Sequence, residues 1–86
     1  MNADFDATQV PNETLNLILR RLVIRYGGLS CAPNLANAFP SITNSQMHDI
    51  LECLVKKGVL RRVNDEDPAL ARLTRFPEQT IYALRR

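Results

Sequence analysis

Three breaks decide what residues 11–58 can become. Gly27-Gly28, Pro40-Ser41 and Gly58 are residue types that stop helices. Each stretch they bound has apolar residues at helical spacing. Leu15, Ile18, Leu19, Leu22 and Tyr26 recur along one face, so a helix is expected over residues 11–26. Pro11 and Glu13 suit its first turn. A second helix is expected over residues 31–39, with Ser30 as its cap, Pro33 in its first turn and Leu35, Ala36 and Phe39 as its apolar face. A third is expected over residues 44–57. Thr43 and Gln46 stand at the spacing of a capping box, and Ile42 and Met47 at that of a hydrophobic staple. Met47, Ile50, Leu51 and Leu54 form its core stripe, and Lys56-Lys57 favour its negative end. Helices this short are marginal alone, so the three stripes must cover one another.

After Gly58 the period changes. Val59–Val63 and Thr80–Leu84 read as strands, the second carrying Thr80, Ile81 and Tyr82. The connection between them is long for a hairpin. Asp67-Pro68 is a helix-start pair, and residues 69–73 can form a helical turn inside it. Residues 1–10 are expected as a flexible tail anchored only by Phe5. The reading is one α+β, mainly α domain over residues 11–86: a three-helix core followed by a β-hairpin over residues 59–85. A chain of 86 residues holds one core and offers no cleft between two domains.

Several function classes are poorly served by these residues. No apolar run approaches the roughly 18 residues of a membrane span. The start, Met1-Asn2-Ala3-Asp4-Phe5-Asp6, is acidic and unlike a signal peptide, so a cytoplasmic location is expected. Cys31 and Cys53 do not make a disulfide framework and are expected as reduced, metal-free thiols. His48 lies five positions before Cys53, on a different side of one helix, which leaves no Cys–His nucleophile pair. Two cysteines and one histidine without Cys-x-x-Cys spacing are a poor match to a zinc site. Gly27-Gly28 lacks the pattern of a phosphate-binding loop. The expectation is a non-enzyme without cofactor or metal.

Charge is unevenly spread. Residues 1–55 hold three basic and five acidic residues, and residues 56–86 hold eight basic and four acidic ones. The second part therefore suggests a basic surface on a near-neutral body, though a merely solvated face would carry the same residues.

Gly28-Leu29-Ser30, Leu35-Ala36, Pro40-Ser41-Ile42-Thr43 and Ile50 to Arg62, with its Lys56-Lys57-Gly58-Val59-Leu60-Arg61 run, resemble the winged helix-turn-helix superfamily. The match covers residues 12–64 well and residues 65–86 as a plausible wing. The resemblance implies a short strand near Leu29, a third helix that enters the major groove, and a wing on flanking phosphates. It implies double-stranded DNA as partner and a small transcription regulator of bacterial or phage type. Asn44, Ser45, Gln46 and His48 are short polar residues in the first turns of that helix and suit base edges. With Met47 facing the core, Ser45, Asp49, Glu52 and Lys56 share the opposite face, where Glu52 could accept a bond from cytosine. Arg61, Arg62 and Arg75 are the expected phosphate contacts, with Arg72, Arg85 and Arg86 nearby.

A second reading stays open. Leu17 and Ile24 lie opposite the Leu15/Ile18/Leu22 stripe, so the first helix is apolar on two faces. Either the fold covers this second face internally, or a homodimer forms through Leu17 and Ile24 with Phe5, or the domain is a protein-interaction module that does not bind DNA. The acidic Asp49 and Glu52 favour the last of these.

Overall fold

The computed structural model describes residues 5–25 and 27–85, with the side chain of Arg25 left out. Tyr26, Arg86 and residues 1–4, part of the expected first helix, second strand and tail, lie outside the described residues. The fold is α+β and mainly helical. A 3-10 turn at Ala7–Gln9 is followed by α1 (Asn12–Arg25), α2 (Ala32–Ala36), α3 (Asn44–Lys56), β1 (Leu60–Arg62), α4 (Val63–Glu66), α5 (Pro68–Arg72) and β2 (Tyr82–Leu84).

The two glycine breaks act as the sequence predicts, whereas α2, expected to run to residue 39, ends at Ala36, before Pro40-Ser41. After α1, Gly27 and Gly28 take φ of 64° and 86°, and the Gly28 N–H reaches back to the Leu22 carbonyl at 3.1 Å. That bond satisfies a carbonyl the helix end would otherwise orphan, in a conformation costly for any residue with a Cβ. The capping box of α3 is complete. The Gln46 N–H donates to Thr43 Oγ1, and the Thr43 N–H donates to Gln46 Oε1, both at 3.0 Å. Gly58, at φ 79°, turns the chain out of α3 into β1.

Ile18 and Leu22 of α1, Leu35 and Ala36 of α2, and Met47, Ile50, Leu51 and Leu54 of α3 are buried together with Leu60 and Tyr82. Phe5, Ala7 and Val10 also pack on this core, and Asp6 caps the 3-10 turn through the Thr8 N–H. Residues 5–10 therefore differ from the expected frayed tail: three apolar side chains at close spacing are enough to hold them down. α2 also differs. Its N-cap is Cys31, not Ser30, because the Ser30 backbone is drawn into a bridge with Tyr82. The Ser30 hydroxyl instead accepts from Asn34 Nδ2 at 2.9 Å.

β1 and β2 are antiparallel, with Leu60 opposite Leu84, Arg61 opposite Ala83 and Arg62 opposite Tyr82. Alternation sends successive residues to opposite faces. Leu60 and Tyr82 enter the helical core. Val63, Ile81 and Ala83 enter a second cluster with Cys31 and Ala71, over which Leu29, Leu70 and Phe76 close. The helical turn expected after Asp67-Pro68 is present as α5, but the rest of the hairpin region departs from the expectation. Both strands are shorter than predicted, Val63 opens α4 instead of ending β1, and the connection folds back as a lid on the outer face of the sheet. Asn64 pins it: its Oδ1 accepts from the Ile81 N–H at 2.6 Å, and its Nδ2 donates to the Gln79 carbonyl at 3.1 Å. Asp67 caps α5 through the Leu70 N–H at 3.1 Å. Among the described residues no helix is long and apolar enough to cross a membrane.

Candidate nucleic-acid interface

The capped start of α3 presents Asn44 and Ser45 to solvent, with His48 and Asp49 one turn on. Gln46 is half-buried, and its carbonyl oxygen is committed to the cap, which leaves its amide NH2 as the group free to donate outward. His48 Nδ1 lies 3.6 Å from Asp49 Oδ1, both side chains exposed. Lys56 stands exposed in the last turn and Lys57 just beyond it.

Glu52 does not stand out from α3 as helical spacing alone suggests. It reaches to the sheet. Arg62 Nε donates to both of its oxygens, at 3.1 and 3.0 Å, Arg62 Nη2 also donates to Oε1, and the Tyr82 hydroxyl donates to Oε2 at 2.5 Å. Strand parity explains the meeting. Arg62 and Tyr82 are cross-strand partners on the face that looks at the helical core, so both point at the helix packed there. The bonds from Arg62, chiefly, and from Tyr82 hold the Glu52 carboxyl down at about 2 against the cost of partial burial. Burial first, and the hydrogen bond to Glu52 second, raise the Tyr82 phenol, while the Glu52 bond raises the Arg62 guanidinium. At neutral pH the set is an ion pair with a neutral phenol.

Arg61, on the opposite face, bonds Glu66 Oε1 at 3.3 Å. Arg62 also lies 3.6 Å from Asp65. The two arginines expected on phosphates are therefore half-buried and matched to acids of their own domain. Arg75, the third, is exposed, as are Arg72 and Arg85, and among the described residues none of these three pairs with a carboxylate. The Arg85 N–H donates to the Val59 carbonyl at 2.9 Å, which fixes Arg85 beside the end of α3 where Lys56 and Lys57 stand. The structure thus brings Lys56, Lys57 and Arg85 to one end of the molecule. Sequence reasoning missed the Arg62–Glu52–Tyr82 set and the placement of Arg85 beside Lys56 and Lys57. The signal for the first was the register: had Arg62 been placed opposite Tyr82, both would have had to face α3.

Of the residues expected at a homodimer interface, Leu17 and Ile24 are 50% and 68% exposed, whereas Phe5 packs on its own core. Cys31 is buried, and burial raises its thiol; Cys53 is half-buried on α3. Among the described residues, no three His, Cys, Asp or Glu side chains are grouped so as to hold a metal ion. Comparison with models of protein families, with curated proteins and with solved structures finds no match to this chain.

Proposed function

We propose that the chain is a winged-helix domain that binds double-stranded DNA, with α3 in the major groove. The observation that carries this reading is the withdrawal of Glu52. An unpaired carboxylate in the middle of α3 would oppose a phosphate backbone. Bound to Arg62 and Tyr82, it becomes part of the scaffold that holds α3 against the sheet. What α3 then offers outward is Asn44, Ser45, the Gln46 amide and His48, which are residue types that bond base edges, with Asp49 as the one remaining acid. The order α2, tight turn, α3, strand pair is compatible with this fold, and the Ser30 bridge to β2 lies one residue from the short strand the resemblance implies. The phosphate contacts move from Arg61 and Arg62 to Lys56, Lys57, Arg72, Arg75 and Arg85. A regulatory role follows from the resemblance alone.

Fluorescence anisotropy with a labelled random duplex, over a salt series, tests the proposal. Wild type should bind with a steep salt dependence. Arg75→Ala and Arg85→Ala should each flatten the slope by about one counterion. On a selected site, Asn44→Ala should cost about 1–3 kcal/mol with little effect on random DNA. Absence of duplex binding at low salt would make the DNA reading wrong.

A further inference from the structure

The outward face of α1 is unlike that of α3. Leu17, Arg20, Arg21 and Ile24 follow i, i+3, i+4, i+7 spacing on the side opposite Ile18 and Leu22, and with Phe39 they line an open groove of about 260 Å³. Leu17 and Ile24 are among the most exposed large apolar side chains described. Between them stand two arginines that pair with no carboxylate among the described residues. The pattern is an apolar residue at each end of a two-turn face and positive charge in the middle.

We infer that this groove is a docking site for an acidic amphipathic helix of a partner protein, one that presents apolar side chains at i and i+7 to Leu17, Ile24 and Phe39 and carboxylates on the turn between them. Charge decides the occupant. In a two-fold dimer of this chain centred on the groove, whether α1 and its copy run parallel or antiparallel, the arginines of one copy meet those of the other. Such like-charge juxtaposition opposes pairing. An antiparallel copy slid by two turns could set Glu13 against Arg21, but Ile24 and Phe39 would then lose their cover. An acidic helix matches apolar ends and charged centre at once. The inference stands apart from the DNA reading, since it uses none of the residues assigned to it.

The test uses two labelled, helix-stapled peptides with leucines at i and i+7, one carrying glutamates between them and the other lysines. Anisotropy is measured against the full chain. The acidic peptide should bind wild type, and Ile24→Ser should weaken it by about tenfold or more. The double variant Arg20→Glu/Arg21→Glu should reject the acidic peptide and gain the basic one, an exchange that a merely unfolded variant cannot show. Sedimentation of the peptide-free protein gives the other arm. The inference is overturned by equal binding of both peptides, by binding of neither at about 1 mM, or by a dimer that Ile24→Asp dissolves, which would assign the face to a second copy.

Discussion

The two faces of the small sheet solve the same problem at different scales. Toward the helices, Leu60 and Tyr82 join a core to which all three main helices contribute, and Ile18, Leu22, Leu35, Met47, Ile50 and Leu51 there are essentially inaccessible. On the other face, Val63, Ile81, Ala83, Cys31 and Ala71 make a cluster closed by two helices of one turn each. Parity divides one strand between them: Ile81 and Ala83 go to the lid, and Tyr82 between them goes to the helices. The difference teaches where rigidity lies. α3 is held by the large core, by a complete capping box and by the Glu52 bonds. The exposed Arg72 and Arg75 ride on the small cluster, which has few apolar side chains to lose.

Substitutions should rank accordingly. Leu51→Ala removes a fully buried side chain from the helical core and should cost about 4 kcal/mol in urea denaturation. That loss would leave little of a small domain's stability. Ile81→Ala makes its cavity under the lid, where short elements can settle, and should cost about 3 kcal/mol or less. Hydrogen exchange sharpens the contrast. In Ile81→Ala, amides of α4 and α5 should lose protection while those of α3 keep it. Equal loss in both regions would mean that the two clusters are one cooperative unit and would break the comparison.

The bonds that tie α3 to the sheet come next. The Glu52 carboxyl ionises lower in the folded chain, at about 2, than its ordinary value of 4.5, so the folded state binds fewer protons in that range. Its stabilisation is complete above pH 4.5 and is lost as pH falls toward 2. After screening of a side chain 26% exposed, the loss is about 2 kcal/mol. Denaturation between pH 5 and about 2.5 should show it, and Glu52→Gln should flatten that stretch of the curve. Tyr82→Phe keeps the buried ring and removes one bond to the carboxylate, so a loss of about 1.5 kcal/mol is expected, with the Glu52 titration moved upward. Smallest of all, Leu73→Ser at a side chain 83% exposed should change stability by less than about 0.5 kcal/mol. A larger loss would show that the lid closes further than its static form.

Local signals made most of the helical part legible. Glycine set the ends of α1 and α3, and apolar spacing set the inward faces, because both act within a turn or two of the chain. The stop at Gly27-Gly28, the capping box at Thr43 and the stripe from Met47 to Leu54 all lie where those rules put them. The exposed polar start of α3 was legible for the same reason. Legibility failed where partners are far apart in sequence. Ser30 carries a good capping side chain, yet its backbone is claimed by Tyr82. Val63 reads as a strand end, yet it opens a helix because Asn64 is needed to tie the connection to Gln79 and Ile81.

By itself, then, the sequence determined three short helices, their inward faces, the cap of α3 and an uneven charge. The tertiary structure decided which charges remain available. Arg61, Arg62 and Glu52 look like surface residues in a list of spacings, but the register of two three-residue strands sets Arg62 beside Tyr82 and both against α3, and it turns Arg61 toward Glu66. A shift of that register by one residue would exchange the two faces and free the carboxylate. Propensity cannot fix such a register. It follows from which side chains the helical core and the lid can each bury.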